Sequence, residues 1–502
     1  MIAPYGLRSL MAAMVVAGCA AGSAAHAVRV NADGHGQALL YPYYTVRAVE
    51  VAHEGASVNT YATALSVTNL TDSPKAVKAR FFEGKGGAEV YALNLFLGAY
   101  DVWTAGIIPA DAGAGLFTVD HSCTTPAISS TSASPTLFRN TAYLGDPLGD
   151  TLDRTREGYF EFLEMGTIDP ASPLGENVTP VTNLSSPNAS KPPCISLPIT
   201  DALPAGLSKP SGGLVGNVSY LNVNEGTDYS VDAIALSQWS DTVQWSGPAN
   251  AHPDLGDANP PASFVVDTQA DRDTLYVTRW TTGRDAVSAL FMVDHVVNDF
   301  NAERLLGAAT QWVLTMPTKR FHVSMVAAER PFQSVLGSQG SCDAVGETRS
   351  ASGLTPAWFD REGLGAPGGL CLDCPPGAPL CASANVATFA YQSTLSRPLG
   401  SRNQVPVNLA GTFINGYANL EIPPTSDGRH RMVSPAGATS VVPLDGSPPR
   451  TGATVTYFGL PVVGFAVESY SNGSLRVGQS TVLSNYGGQF IHKYGRRIET
   501  AP

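Results

Sequence analysis

The 502-residue sequence has few charged residues, and its acidic residues outnumber its basic ones. Asp, Glu, Lys and Arg together make up 14% of the chain, whereas roughly 25% is usual in globular domains. The net charge is −12, and no cluster of Lys and Arg occurs along the chain. Because nucleic-acid binding needs clustered positive charge to displace phosphate counterions, the composition argues against a nucleic-acid partner.

The common motifs of catalytic and metal sites are also missing. The nine histidines form no H-x-H, H-x3-H or HExxH pair, so no metal-ligand pair is visible. No G-x-S-x-G or P-loop pattern occurs, which removes the usual signatures of serine hydrolases and P-loop nucleotide-binding proteins. One G-x-G-x-x-G match, Gly363-Leu-Gly365-Ala-Pro-Gly368, lies in a Gly/Pro-rich stretch and not in a predicted strand-to-helix unit, so it does not predict a dinucleotide site. The sequence therefore predicts no catalytic residue, no metal site and no cofactor, although a triad built from distant residues leaves no local signature.

Three groups of polar residues are the remaining candidates for chemistry. Asp294 and His295 are neighbours in an apolar, strand-like run, where adjacent side chains are expected to point to opposite faces. Four glutamates lie in strand-like segments, but nothing singles out a glycosidase pair among them: Glu161, Glu164, Glu421 and Glu468. The acidic loop residues lack the spacing of a calcium-binding loop: Asp254, Asp257, Asp267, Asp271 and Asp273.

The N-terminal segment has the pattern of an export signal. A short apolar run, Leu10–Gly18, is followed by Ala25-His26-Ala27, which has the small-x-small pattern of a cleavage site. Residues 1–27 are therefore predicted to be a signal peptide, with the mature chain starting at Val28. In the alternative, a lipoprotein box ends at Cys19 and that cysteine is acylated. Cleavage before Val28 and acylation of Cys19 both predict export to the periplasm, the outer surface or the medium. No later segment is apolar enough to predict a transmembrane helix.

The cysteines are few, and their positions favour disulfides. With Cys19 in the leader, six of the seven cysteines remain, and an even number in an exported chain predicts a disulfide set. Cys123 and Cys194 are expected to pair, and the other four are expected to pair among themselves: Cys342, Cys371, Cys374 and Cys381. Zinc binding or a redox-active C-x2-C are the alternatives. The cluster lacks the two tight pairs of most zinc sites, and two prolines follow the C-x2-C where a helix would have to begin.

The mature chain shows the alternation of half-buried strands between many turns. Tyr61–Val67 and Val77–Phe81 carry apolar residues at every second position, with Lys78 and Arg80 expected on a solvent-exposed face. The 50 glycines and 37 prolines supply turn residues. These features predict a mainly β fold of antiparallel, immunoglobulin-like β-sandwich domains with long Gly/Pro/Ser-rich loops.

A Pro/Ser-rich tract separates two strand-rich parts of the chain. The predicted organisation is an N-terminal β-sandwich domain over residues 28–170, a linker over 171–212, and a C-terminal β domain over 213–497. The C-terminal domain is expected to hold a cysteine-bearing insertion at residues 330–385.

Local patterns in the second half predict further elements. Asn415–Gly416 and Asn472–Gly473 are strong hairpin-turn signals. The apolar runs Val287–Val293 and Phe321–Val326 are interpreted as strands, and Asn301–Ala309 as a short helix.

Five segments between Gly36 and about Arg497 are distinctive: "GQALLYPYYTV", "NLFLGAYDVWTAGI", "ATQWVLTMPTKRFHV", "YFGLPVVGFAVESYSNG" and "NYGGQFIHKYGRR". They resemble blocks of a family of uncharacterised, exported bacterial cell-surface proteins, and the resemblance covers most of the mature chain. It implies export and a β fold, and it implies no catalytic activity.

The aromatic residues allow two interpretations, because they either pack in the core or form a surface that stacks on sugars or contacts a partner. The residues concerned are Tyr41, Tyr43, Tyr44, Trp103, Trp239, Trp245, Trp280 and Trp312. Exposure of the last four in one groove beside two acids would favour a carbohydrate site, and their burial would favour a structural protein.

The absence of catalytic motifs predicts an exported, non-enzymatic structural or adhesion-type protein of the cell surface. Its expected partners are cell-surface polymers or other surface proteins. The alternative is a secreted protein that binds carbohydrate or hydrolyses polysaccharide. A third hypothesis is a subunit that adds strands to partners, which a long uncovered edge strand would support.

Overall fold

A computed structural model describes residues 26–49, 60–181, 191–269, 272–343, 357–363, 379–390, 398–408, 414–477 and 480–501. The chain is mainly β and is built from antiparallel sheets, which confirms the predicted fold class at that level. Residues 1–25 of the predicted signal peptide, with Cys19, lie outside the described residues, as do Cys371 and Cys374.

The strands are numbered along the chain. Those of the first half are β1 (Arg29–Val30), β2 (Ala38–Thr45), β3 (Ala62–Asn69), β4 (Lys75–Glu83), β5 (Glu89–Leu97), β6 (Val102–Ala110), β7 (Gly113–Phe117), β8 (Cys123–Thr125), β9 (Thr136–Leu137), β10 (Glu157–Ile168), β11 (Leu207–Ser208), β12 (Leu214–Asn222), β13 (Thr227–Asp232) and β14 (Ile234–Ser237). Those of the second half are β15 (Ala262–Gln269), β16 (Arg272–Arg279), β17 (Met292–Val293), β18 (His295–Asn301), β19 (Ala308–Thr315), β20 (Ala357–Asp360), β21 (Ala384–Ala390), β22 (Gln404–Asn408), β23 (Asn415–Glu421), β24 (Arg431–Val433), β25 (Thr439–Pro443), β26 (Arg450–Phe458), β27 (Leu460–Pro461), β28 (Val463–Val477), β29 (Ser480–Ile491), β30 (Lys493–Gly495) and β31 (Ile498–Ala501).

Helices are short in the described part of the chain. The α-helices are α1 (Pro173–Val178), α2 (Gly283–Phe291) and α3 (Lys319–His322). The 3-10 turns are Thr141–Tyr143, Leu152–Arg156, Leu255–Asp257 and Arg304–Leu306. No helix among the described residues has the length and apolar character needed to cross a membrane.

Two sheets contain the strands up to Ser237. The first sheet has eight strands in the order β1-β14-β2-β10-β4-β5-β8, with β11 beside β10, and the second has six in the order β13-β12-β3-β6-β7-β9. Both contribute rings to the largest hydrophobic core, where Trp103 of β6 lies 5.9 Å from Phe162 of β10 between ring centroids. Burial alternates along β3 as predicted, because one face of that strand lies on this core.

The strands of the second half form three further sheets of four to six strands and one two-stranded sheet. The third runs β15-β16-β25-β26-β24 with β31 beside β26, the fourth β20-β23-β18-β30, and the fifth β22-β21-β19-β28-β29; β17 pairs with β27. The fourth and fifth sheets share a second core, in which the rings of Phe300 and Phe389 stack at 5.3 Å. The fifth sheet also contacts the second, since Tyr220 stacks on Phe465 at 5.5 Å.

The hydrogen-bonded sheets cross the predicted domain boundary. β12, which follows the predicted linker 171–212, pairs with β3 along Leu214–Leu221, and β14 pairs with β2. The first two sheets therefore extend to Ser237 and do not end at residue 170. A Pro/Ser-rich tract lowers the local propensity for strands, but it does not prevent the chain from returning to the same sheet.

Several local predictions in the second half are wrong. Most of Val287–Val293 is helical in α2, where the Thr282 hydroxyl accepts a hydrogen bond from the Asp285 backbone N–H at 3.3 Å and caps the helix. Phe321–Val326 contains the end of α3 and no strand. Asn301–Ala309 contains no α-helix: it runs from the last residue of β18 through the 3-10 turn Arg304–Leu306 into β19. Short apolar runs do not distinguish a buried helix from a strand.

Neither Asn-Gly pair forms a hairpin turn. Asn415 and Gly416 begin β23, and a Cβ on Gly416 would lie 1.9 Å from the Phe359 carbonyl oxygen, so glycine permits β20 to approach. Asn472–Gly473 lies inside β28, at a register irregularity between Ser471 and Ser474. Both pairs allow an unusual backbone geometry within a strand instead of ending one.

Candidate functional site

The first sheet has a charged face opposite its apolar core face. We define this charged face as Lys78 and Arg80 of β4 with Glu157 and Glu161 of β10. Each of these four residues is at most 5% exposed, so the expectation that Lys78 and Arg80 face solvent is wrong. Chain segments beyond residue 240 cover this face. It can form a reactive site only if these segments leave a charged group accessible to a substrate.

Glu161 is enclosed by hydrogen-bond donors. Arg320 Nη2 lies 3.1 and 3.2 Å from its two carboxylate oxygens, and the Leu255 backbone N–H donates at 3.3 Å. Arg80 Nη1 lies 3.9 Å from the carboxylate. Burial raises the pKa of Glu161, and the two arginines oppose that rise. The carboxylate is committed to these neighbours and has no exposed oxygen to offer a substrate.

Glu157 is held in the same way at the other end of the charged face. Tyr43 and Ser401 donate their hydroxyls to Oε2 at 2.9 and 2.6 Å. Arg47 Nε and the Arg402 backbone N–H donate to Oε1 at 3.1 and 2.9 Å. Four donors on two oxygens satisfy a buried carboxylate, so Glu157 joins β10 to the segment around residue 401.

The candidate glutamates do not form a catalytic pair in a cleft. Glu164 accepts from Lys75 Nζ at 2.8 Å and from the Gly212 backbone N–H at 2.7 Å, and it is fully buried. Glu468 is 8% exposed and accepts from the Tyr470 hydroxyl at 2.6 Å. Glu421 ends β23 in the fourth sheet. A glycosidase needs two acids at one accessible bond. Glu161 and Glu164 share β10 but are buried with separate partners, and Glu421 and Glu468 lie on the fourth and fifth sheets.

Ser288, His322 and Glu329 form the arrangement most similar to a hydrolase triad. Ser288 Oγ lies 3.0 Å from His322 Nε2, and His322 Nδ1 lies 3.9 Å from Glu329 Oε2. Ser288 is fully buried in α2, and its hydroxyl donates to the Arg284 carbonyl at 2.7 Å. His322 therefore has to donate from Nε2 and is not placed to remove the serine proton. These contacts join α2 to α3 and give no accessible nucleophile.

Asp294 and His295 meet, contrary to the expectation that they point apart. Asp294 lies in a bend between β17 and β18, and His295 Nδ1 donates to its carboxylate at 2.8 Å. This hydrogen bond raises the pKa of His295. The His295 ring packs so closely on Gly495 that a Cβ there would lie 1.7 Å from the ring. The pair orients the start of β18 against β30.

Asp254 and Asp257 come together with His252 in one turn. Their potential ligand atoms all lie within 4.8 Å of one another. Asp257 Oδ2 accepts from His252 Nδ1 at 2.7 Å and from the Asp254 N–H at 2.8 Å, and Asp254 accepts from the Gly256 N–H at 2.8 Å. These bonds cap the turn Leu255–Asp257 and use the carboxylates locally. The other acids do not join them, since Asp267 and Asp273 lie on β15 and β16, and Asp271 lies outside the described residues.

None of the eight candidate aromatic residues lines an exposed groove, since seven are buried and Trp245 is half-buried. The fully or almost fully buried ones, at most 1% exposed, are Tyr41, Tyr43, Tyr44, Trp103, Trp239 and Trp312. Trp280 is 8% exposed, and the half-buried Trp245 donates its indole N–H to the Thr200 carbonyl at 3.1 Å. Sugar stacking requires an accessible ring face, so these residues serve the core.

Two disulfides are present among the described residues. Cys123 pairs with Cys194, as predicted, and Cys342 pairs with Cys381 within the predicted group of four. The remaining two members of that group lie outside the described residues. Disulfides are typical of proteins in oxidising compartments.

Three exposed apolar side chains lie on β29, the last strand of the fifth sheet. Tyr486, Phe490 and Ile491 are 58%, 45% and 63% exposed. No sequence pattern described above predicts this strand, although Ser480–Ile491 contains no Asp, Glu, Lys, Arg or Pro. Comparison of the chain with protein-family models, curated proteins and solved structures finds no match.

Proposed function

We propose that the protein is an exported, non-enzymatic structural or adhesion-type protein of the cell surface. The observation that carries the proposal is the burial of the side chains that a carbohydrate site would need. Trp239 and Trp312 lie in the core, and Glu161 is enclosed by donors. A binding or cleaving cleft requires such groups at an accessible surface, so the carbohydrate-active alternative loses its main support.

Export is supported by two independent features. The leader-like segment 1–27 has the apolar run and cleavage pattern of a signal peptide. The disulfides Cys123–Cys194 and Cys342–Cys381 fit an oxidising compartment. The proposed location is the periplasm, the outer surface or the medium, and the proposed partners are cell-surface polymers or other surface proteins.

Cell fractionation with mass spectrometry of the mature N-terminus tests export. We expect the protein outside the cytoplasm with Val28 as its first residue. An acylated Cys19 would keep export and replace the cleavage site. A cytoplasmic protein that retains Met1 would contradict the proposal.

Incubation of the purified protein with a panel of polysaccharides tests the absence of hydrolysis. We expect no release of reducing ends. Glu421 is the candidate glutamate that is not buried, so Glu421→Gln is the informative variant. Release of reducing ends by the wild type that disappears in this variant would favour the carbohydrate-active alternative.

We also propose that the first and second sheets form a two-layer sandwich. The contact between Trp103 and Phe162 and the alternating burial of β3 support it, because both place one face of each sheet on a shared core. The immunoglobulin-like class of this sandwich stays a prediction.

A further inference from the structure

The short loop that follows α3 exposes apolar side chains where turns usually carry polar ones. The Ser324 backbone N–H donates to the Ala327 carbonyl at 2.8 Å and closes the loop. Met325 and Val326, which we call the apolar tip, are 63% and 89% exposed. Tight turns favour Gly, Pro, Asn, Asp and Ser for their backbone geometry. The turn itself therefore gives no reason for two neighbouring apolar side chains in solvent.

A further exposed apolar residue lies on the chain segment beside the apolar tip. The Leu336 backbone N–H donates to the Ser324 carbonyl at 2.9 Å, which holds this segment against the loop. Val335, the residue before it, is 44% exposed. A single exposed apolar side chain needs no explanation, but several on adjoining segments indicate a contact with a partner or a membrane.

Two arginines converge next to the loop. A Cβ on Gly428 would lie 3.2 Å from Arg330 Nη2 and 2.6 Å from Arg431 Nη2, so the two guanidinium groups reach the same place. The segment that carries Gly428 is joined to the loop, because Arg429 Nη1 donates to the Ala328 carbonyl at 3.2 Å. Two positive charges therefore lie together beside the apolar tip.

Among the residues that the structure describes, no carboxylate pairs with either of these two guanidinium groups. The nearby acids have other partners: Glu329 pairs with Arg284 at 2.9 Å, and Asp427 pairs with Arg429 at 3.8 Å. Like charges repel at short range, so an anion between the two guanidinium groups would relieve their repulsion. Guanidinium groups match the geometry of a phosphate through paired hydrogen bonds.

We infer that this surface docks on a lipid layer with anionic phosphate head groups. The apolar tip enters the boundary between head groups and acyl chains, and Arg330 and Arg431 hold a head-group phosphate beside it. Exposed apolar side chains next to basic ones are the two components of interfacial membrane binding. This inference rests on the proposed cell-surface function and deepens it by naming the surface that the protein contacts.

The shape and the charge of the loop favour lipid as the occupant. A fluid lipid layer adapts to a projecting loop, whereas a protein partner needs a complementary concave surface. The net charge of −12 opposes approach to an anionic layer. Salt limits that repulsion to a range of about 8 Å at physiological ionic strength, so the charges at the contact decide the binding.

Co-sedimentation of the purified, disulfide-intact mature chain with lipid vesicles tests the inference. We expect binding to vesicles made of phosphatidylethanolamine and phosphatidylglycerol in equal parts. Binding to vesicles of phosphatidylcholine alone should be much weaker, and binding to the anionic vesicles should fall as salt is raised. Inorganic phosphate at the concentration of the lipid should not release the protein, because it lacks the apolar component.

Removal of the two arginine charges should weaken the binding. Arg330→Gln/Arg431→Gln is expected to reduce the affinity for anionic vesicles at least about tenfold and to abolish the preference over phosphatidylcholine. Arg139→Gln/Lys209→Gln is the matched control, because it removes the same charge from two exposed positions in the first half of the chain. The control should bind like the wild type.

Removal of the apolar side chains should weaken the binding in a different way. Met325→Ser/Val326→Ser is expected to reduce the affinity at least about tenfold and to leave the remaining binding sensitive to salt. Val223→Ser is the matched control, because Val223 is 89% exposed, as is Val326. Circular dichroism and thermal melting check that each variant is folded.

Three results would overturn the inference: a wild type that does not bind anionic vesicles, folded double variants that bind as tightly as the wild type, or complete release by inorganic phosphate. If the loop contacts an acidic protein instead, the purified chain stays in the supernatant with both kinds of vesicle, which is the first of these results.

The two proposals fail in distinguishable ways. A chain that binds vesicles but cleaves polysaccharide, or stays in the cytoplasm, would contradict the proposed function and leave the lipid contact intact. An exported, inactive chain that does not bind vesicles would contradict the lipid contact alone.

Discussion

The two faces of the first sheet are both buried, but they are buried by different kinds of contact. On one face Phe81 and Phe160 stack at 5.3 Å within a core of rings. On the other face Glu161 pairs with both Arg80 and Arg320, and Arg320 also lies over the Phe82 ring at 4.0 Å. Apolar packing is non-directional, whereas buried charges are tolerated only when specific partners surround them. The comparison therefore predicts different responses to substitution on the two faces.

Removing a ring from the apolar face should have the largest effect. Phe162 is fully buried and contacts the rings of Tyr41, Phe81 and Trp103. Phe162→Ala is expected to lower the free energy of unfolding by about 4 kcal/mol through lost burial and a cavity. Urea denaturation measures the change, and Val223→Ala, at an 89% exposed position, is the control. A loss below about 1 kcal/mol would mean that this face is loosely packed.

Neutralising the carboxylate on the charged face should have the next largest effect. Glu161→Gln removes the carboxylate that pairs with the buried Arg320 at 3.1 Å, whereas Arg80 keeps Glu89 at 2.6 Å. We expect a loss of about 3 kcal/mol in urea denaturation. The double variant Glu161→Met/Arg320→Met should recover most of that loss, because it removes both buried charges together. A Glu161→Gln protein as stable as the wild type would show that the ion pairs do not hold the covering segments.

Acid should weaken the covering of the charged face through His322, which lies two residues after Arg320 in α3. Burial lowers the pKa of His322 to about 4, with a further lowering by Arg284 and an opposing effect of Glu329. An unfolded histidine titrates near 6.5, so the unfolded chain binds more protons between these values. Stability is then complete above about pH 6.5 and falls toward pH 4 by about 1.4 kcal/mol per pH unit.

Urea denaturation at several pH values between 4 and 7.5 measures this dependence. His322→Gln should flatten it in that window, although other buried histidines contribute: burial also lowers the pKa of His492, to about 3. His252→Gln is the control, because the His252 side chain is 66% exposed. An unchanged slope in His322→Gln would assign the acid sensitivity to other groups.

An exposed ion pair should contribute less to stability than the buried ion pairs of the charged face. Arg497 Nη2 and Glu499 form a pair whose side chains are 48% and 56% exposed. Glu499→Ala is expected to cost less than about 1 kcal/mol, because solvent and salt screen such pairs. Thermal melting at low and high salt is the measurement. A loss as large as that of Glu161→Gln would remove the distinction between buried and exposed pairs.

Sequence patterns predicted the features that depend on residue type and on spacing along the chain. The alternation of Tyr61–Val67 is found in β3, and the pairing of Cys123 with Cys194 is present. The alternation of β4 was also interpreted correctly as a strand, but Lys78 and Arg80 were expected in solvent. Alternation with a period of two residues shows which side chains share a face of the strand. It does not show what packs on that face.

The misassigned turns have a similar cause. Asn472–Gly473 has the composition of a two-residue hairpin loop, yet β28 continues through it to Val477 because β29 is available to pair on the far side. Turn propensity is worth little against the hydrogen bonds of a long ladder. The candidate site was unpredictable for the same reason, since Arg320 and Ser401 reach β10 from distant parts of the chain.

The sequence by itself determined the β class, the alternating faces and the pairing of its first disulfide, because these depend on residue type and on spacing along the chain. Only the tertiary structure decided that the charged face is closed, that most of the candidate tryptophans and tyrosines are buried, and that β29 has a strand on one side only in the described part of the chain. Those properties arise from contacts between residues far apart in sequence, where burial and partner geometry outweigh any local preference.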